Sequence, residues 1–337
     1  MSSAFDIEHY INSLPEDIET INISNISLTY IPSLKRFHKL TQLDCSNNQL
    51  TSLPQLNDSL RILNCFNNQL TNLPELNPSL IRLLCVNNQL TSLPELNHSL
   101  QILDCSENQL TRLPELNDSL QHLFCFNNQL TSLPKLNHSL RILECFNNQL
   151  TNLPELNPSL IRLLCVNNQL TSLPELNHSL QILDCSENQL TRLPELNDSL
   201  QHLFCFNNQL TSLPELGSLR QLVCFNNQLT SLPELNDAME ILYCGNNPLP
   251  PVMLINNGYI HLTQEDKNLF NNVTNCLHRC KLLFWSLKYR TQLRDWLWIK
   301  VRLPKIEKTY HPSKLNELLS TFETMTEDEF DTVISNW

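Results

Sequence analysis

The sequence predicts an α/β solenoid with a parallel β-sheet on its concave side, an extended or 3-10 convex side, and a small C-terminal α-helical module. Three observations predict it. A twenty-residue pattern, LxxLxCxxNxLTxLPxL, recurs about twelve times in the 337-residue chain. Its apolar positions alternate only over a short stretch, which fits one brief strand and leaves no room for a full helix on the way back. The chain has 3 Gly against 19 Pro, so its turns must be built from Pro and Asn.

Residues 1–17 come first. Phe5 to Leu14 has the spacing of a short amphipathic helix that closes the N-terminal end of the array. Units then start at Ile18, Leu40, Leu60, Leu80, Leu100, Leu120, Leu140, Leu160, Leu180, Leu200, Leu219 and Met239. In the unit that begins at Leu100, apolar residues stand at positions 1, 4, 6, 11, 14 and 17: Leu100, Leu103, Cys105, Leu110, Leu113 and Leu116. Positions 1 to 6 form the strand, with one face buried. Asn at position 9 (Asn48, Asn68, Asn88 and onward to Asn247) offers two donors and an acceptor to backbone groups freed where the strand turns. No unit can bury its apolar side alone, so the units must stack from 18 to 250. The ends are atypical, as caps should be. Ile23 and Ile26 replace Cys and Asn in the first unit, and the last reads NNPLPPV. The unit at Leu200 is one residue short, with Gly217 in place of an Asn-x pair.

A larger repetition lies over the first. Residues 65–134 and 145–214 are identical, 70 residues at an offset of 80. Four units were copied as a block. A finely tuned site on one unit would occur twice, so length and surface are what the array supplies.

Cysteine stands at position 6 of nearly every unit, and four explanations compete. Parallel strands in register do not offer the dihedral that a disulfide needs. A straight column does not converge on a tetrahedral zinc ion. A nucleophile needs a stabilised thiolate and a partner base, and position 6 has Leu neighbours and no fixed His. Packing is the remaining reading, with Cys as a small buried hydrophobe. The sequence therefore predicts no catalytic residue, no metal site and no cofactor.

The pattern resembles leucine-rich repeat proteins, in particular the short LPX-type subclass of bacterial effectors, and also leucine-rich repeat proteins of giant viruses of amoebae. The resemblance implies a non-enzymatic scaffold that binds a partner protein, from a host cell if the chain is a viral or bacterial factor. Some bacterial LPX proteins are ubiquitin ligases with a catalytic Cys in a much larger C-terminal domain. Here about 88 residues follow the array, and His278 and Leu282 stand where that family's Cys-x-Asp motif would need Asp after Cys276 or Cys280.

Positions 3 and 5 of each strand point away from the core. Together with position 7 they give the expected partner-binding face: Arg82, Leu84, Asp104, His122, Phe124, Phe126, Glu144, Arg162, Leu164, Asp184, His202, Phe204, Phe206 and Tyr243. A sheet face rich in Phe, Ile and Leu is more than solubility explains, and aromatic side chains are favoured anchors. Phe at position 7 either joins this face or tucks against the rim as core. His122 and His202 are single imidazoles with no fixed carboxylate or thiol cluster, so they are read as neutral surface residues.

Charge and processing signals bound the rest. Over residues 40–249 there are 8 Lys+Arg and 19 Asp+Glu, a balance that repels phosphate and argues against nucleic acid on the array. The first twenty residues lack a basic head and an apolar run, so the expectation is an intracellular, cytoplasmic protein with reduced thiols, not one secreted through a signal peptide. Asn-x-Ser triplets such as Asn57-Asp58-Ser59 are then a by-product of the repeat.

In 251–337, Thr263-x-x-Asp266 can cap a helix whose apolar stripe runs Leu269, Val273, Cys276, Cys280, Leu283, Leu287. Lys267 to Lys314 carries 11 Lys+Arg against 2 acids, with Trp285, Trp296 and Trp298 among them. Internal packing of these aromatics is the first reading; contact with a membrane surface or a partner helix is the alternative. For the whole chain the alternatives are an effector with a ubiquitin-ligase-like or membrane-surface C-terminal module, or a structural or packaged component.

Overall fold

The computed structural model describes residues 5–249, 259–261, 267–268 and 271–272. The chain divides into two compact units, Met1–Leu200 and Gln201–Trp337.

The first unit opens with helix α1, Ile7–Ser13. Asp6 caps it by accepting the His9 N–H, and Ile7 and Ile11, one turn apart, are its buried residues. At its C-terminal end the Leu14 N–H returns to Ile11 O at 3.2 Å and the Ser13 hydroxyl to Tyr10 O at 2.7 Å. Arg36 donates to Ile11 O at 2.5 Å and Leu14 O at 2.8 Å. The same guanidinium lies 4.7 Å from the ring centroid of Phe37, which is fully buried. The N-terminal segment is thus a helix clamped by an arginine of the first turn.

Nine short strands follow: β1 Thr20–Asn22, β2 Gln42–Asp44, β3 Ile62–Asn64, β4 Arg82–Leu84, β5 Ile102–Asp104, β6 His122–Phe124, β7 Ile142–Glu144, β8 Arg162–Leu164 and β9 Ile182–Asp184. Each occupies positions 3 to 5 of its unit and pairs in parallel, in register, with the next. Three residues suffice because the middle one is always buried between two that are not. The returns are extended segments broken by tight turns.

The core repeats with the sequence. Leu100, Leu103, Cys105 and Leu110 have no exposed surface, and the equivalent residues of the other turns are buried alike. Each fully buried leucine contributes about 1.5–3 kcal/mol. Positions 14 and 17 are less uniform than the pattern predicts. Leu113 is buried while Leu116 is half-buried, and in the next turn Leu133 is half-buried while Leu136 is buried. The return leg lies at the margin of the core, where either leucine can do the packing.

The second unit contains β10 His202–Phe204, β11 Gln221–Val223 and β12 Ile241–Tyr243, paired in parallel. Gly217, at φ 46, makes the turn that the missing residue requires. A strand the sequence did not reveal, β13 Tyr259–His261, pairs antiparallel with β12 and ends the parallel series. It falls in the segment expected to be helical. Residues 267–268 and 271–272 are helical, as expected after Asp266. Asn271 exchanges both hydrogen bonds with the backbone of Leu235, at 2.7 and 2.9 Å, and Lys267 donates to the carbonyl of Asp237. This segment therefore packs on the return leg of the unit that begins at Leu219. The remaining predictions for 251–337 lie outside the described residues.

Candidate functional site

Three asparagine columns hold the frame that carries the face. At position 9, the Asn88 amide donates to the carbonyls of Cys65, Cys85 and Val86 and accepts the N–H of Leu70. Both faces of the amide, donor and acceptor, are engaged, and two of the bonds, to Cys65 and from Leu70, reach the preceding turn. Asn48 through Asn247 repeat this arrangement.

The other two columns were not singled out by sequence. Position 8 has positive φ throughout, from Asn47 at 53° to Asn246 at 50°, and Asn tolerates that region better than most residues. Exposed amides at this position chain along the rim, Asn87 to Asn67 and Asn67 to Asn47, and the chain breaks where Glu107 and Glu187 replace Asn. Two Asn in succession was the available signal. At position 18, Asn77 donates to Leu60 O at 2.7 Å and Asn157 to Leu140 O at 2.8 Å. The Asn-x-Ser triplets use this column. Asn117 and Asn137 in them are buried, with their amides donating to backbone carbonyls of the preceding turn.

The eleven described cysteines are all free and buried. Several thiols donate to the carbonyl of the next strand, as Cys85 to Asp104 O at 3.3 Å. Burial pushes the thiols up, to about 12 for Cys45 and Cys145. A protonated, enclosed thiol has neither the thiolate character nor the access that a nucleophile needs, so packing accounts for the column.

On the open face of the first unit, Leu84, Asp104, His122, Phe124, Phe126, Glu144, Arg162, Leu164 and Asp184 are half-buried, and Arg82 is exposed. In the second unit His202, Phe204, Phe206 and Tyr243 are half-buried. The position-7 rings stack on one another. Phe126 and Phe146 lie 4.3 Å apart and parallel within 6°, and Phe206 and Phe225 lie 4.6 Å apart. Tyr243 then leans onto Phe225 at 4.7 Å, in the unit where Gly245 leaves position 7 empty. Half-exposure and mutual stacking place these phenylalanines at the rim of the open face and not in the core.

Where position 5 is Asp, position 7 is Ser, and the two bond to each other. Asp104 Oδ1 accepts the Ser106 N–H at 3.2 Å and its hydroxyl at 2.8 Å. Ser46, Ser106 and Ser186 are consequently buried, so the serine supports its aspartate and is not itself part of the face.

Burial raises the carboxyls of Asp104 and Asp184, opposed by the bonds from Ser106 and Ser186. Burial also raises Glu144, which Arg162 lowers and Asp104 raises further. Arg162 sits 3.2 Å from the Glu144 carboxylate. His122 is lowered by burial and by Arg141 and Arg82. Its ring meets Phe124 edge-on at 6.3 Å. In the second unit His202 Nδ1 lies 3.3 Å from Gln221 Oε1. Among the described residues, no three His, Cys, Asp or Glu side chains could hold a metal ion, and no helix is long and apolar enough to cross a membrane.

Residues 198–237 match the family model described as Leucine Rich repeats (2 copies). Among solved structures, YopM, a leucine-rich effector protein from Yersinia pestis, is 34% identical with a TM-score of 0.54, over 70% of this chain and 80% of that one. The chain belongs to the leucine-rich repeat family. YopM from Yersinia enterocolitica WA-314 is 38% identical with a TM-score of 0.66, over 70% of this chain. The leucine-rich repeat chain described here spans about half, 52%, of the length of that relative. No curated protein matches the sequence. The twenty-residue turns place the array with the short, LPX-type leucine-rich repeats.

Proposed function

We propose that this leucine-rich repeat chain is a non-enzymatic scaffold that binds a partner protein through the concave sheet face, and that it acts in the cytoplasm of a host cell. The observation that carries the reading is the division of labour within each turn. Positions 1, 4, 6, 9 and 11 are consumed by packing and backbone bonding, while Ile, Leu, Phe and charged residues at 3, 5 and 7 stay half-open on one side. A half-exposed apolar sheet face on a rigid frame is what a protein interface needs. The similarity to YopM, named as an effector protein, supports the host-cell part.

The test is affinity capture from host-cell lysate with the full chain and with a variant carrying Ser at Phe124, Phe126, Phe204 and Phe206. The expected result is loss of the specifically captured protein by at least about tenfold, since aromatic anchors dominate such interfaces. Unchanged capture by a variant with the native circular dichroism spectrum would remove the face from consideration.

A further inference from the structure

Five neighbouring strands of the first unit carry an ordered strip of charge. Position 5 runs Leu84, Asp104, Phe124, Glu144, Leu164 on β4 to β8, each in register with the next. Position 3 places Arg82 on β4 and Arg162 on β8, at the two ends. The carboxylates of Asp104 and Glu144 therefore flank the Phe124 ring on either side, about 10 Å apart, two strand spacings.

Neither carboxylate is used up. Both hydrogen bonds to Asp104 go to Oδ1, and none among the described residues reaches Oδ2. Glu144 meets Arg162 through Oε1. Both arginines approach from outside the strip, because β4 and β8 lie on the far sides of β5 and β7 from the ring. Arg141, on the turn entering β7, is the other nearby cation and acts on His122. The space over Phe124, between two carboxylates with a spare oxygen each, holds no cation among the described residues.

We propose that this strip is the specificity element of the concave face, and that it receives an arginine side chain of the partner, stacked on Phe124 between Asp104 and Glu144. A cation within about 6 Å of a ring centroid is attracted to the ring face. A guanidinium is flat enough to stack there and has separate N–H groups for both carboxylates, which an ammonium lacks. The half-burial of both acids strengthens such a contact relative to one in open water. The proposal rests on the scaffold reading and names the partner's chemistry.

The test uses the full chain and a fluorescein-labelled peptide, Gly-Ala-Leu-Arg-Leu-Ala-Gly, followed by fluorescence anisotropy, with a twin in which citrulline replaces arginine. Citrulline keeps the shape and loses the charge. The arginine peptide should bind at least about tenfold more tightly than its twin. D104N, which keeps the Oδ1 acceptor for Ser106, and E144Q should each weaken the arginine peptide about three- to tenfold. Neither should change the citrulline peptide. Equal affinity of the two peptides overturns the proposal, as does indifference to both substitutions in proteins with native melting curves. So does the absence of arginine-peptide binding up to about 1 mM. Each of these results leaves the broader scaffold reading standing if the four-serine variant still loses its partner.

Discussion

Residues 65–134 and 145–214 are the same sequence, but they do not present the same surface. In both copies the frame is alike. Asn88 and Asn168 make the same four bonds, to within 0.1 Å. The open face differs. Arg82 is exposed and acts on Asp104, whereas Arg162 is half-buried and pairs with Glu144. The cause lies just outside the copied block, where Asn64 precedes the first copy and Glu144 the second. Asn64 gives Arg82 no charge to meet, and the charge of Arg82 lowers Asp104 on the next strand. Glu144 draws Arg162 back, and Asp184 then has no arginine acting on it. In a stacked sheet the chemistry of a strand is decided by the strand beside it, while the frame is decided within the repeat.

The shared frame can be broken in bulk by alkali. The thiols keep their protons to about pH 12 in the folded array, as at Cys45 and Cys145, but lose them near pH 9 when unfolded. Between those values the folded state binds more protons, so stability falls as pH rises. Each thiol contributes up to about 1.4 kcal/mol per pH unit, the largest effect expected. Urea unfolding at pH 7, 9 and 10.5 should show the midpoint collapsing, and a flat profile would contradict enclosed thiols in both copies.

A smaller and more local break is Asn88→Ala against Asn168→Ala. Each leaves buried backbone groups unpaired and should cost about 3 kcal/mol. Equal losses in thermal or urea melts would show that the two frames are equivalent, and a clear inequality would show that the neighbours reach into the frame as well.

The difference itself is sharpened by Glu144→Asn, which gives the second copy the neighbour of the first. Stability should change by less than about 1 kcal/mol, because Arg162 is substantially exposed. Asp184 should instead respond. Released from Glu144, Arg162 can turn to it, and the Asp184 carboxyl pKa followed by NMR should fall. An unmoved Asp184 would mean that the arginine's direction is set by something other than residue 144.

Much of this was legible in the sequence. Leu103 and Cys105 recur with period twenty, and only burial explains an apolar residue kept at each turn. Asn88 declared its role because an amide's donors and acceptor match the groups that a turning strand exposes. The position-8 Asn was less visible. Its backbone angle, not its side chain, is what it supplies, and an adjacent Asn masks the signal. Strand β13 was hidden because Tyr259–His261 has no repeat to announce it and pairs with β12 against the direction of the array. The Arg162–Glu144 pair could be listed as candidates but not paired, since which of two neighbours a long side chain meets depends on geometry across strands.

The position-9 asparagine has a consequence for how such a chain can grow. Each one stitches its own turn to the turn before, as Asn88 joins Cys85 to Cys65. An insertion of any whole number of twenty-residue units restores every stitch at its junctions, and the offset of 80 between the copies is four such units. Length in this protein can therefore be edited in discrete steps by simple duplication, with each step presenting the old side chains to new neighbours.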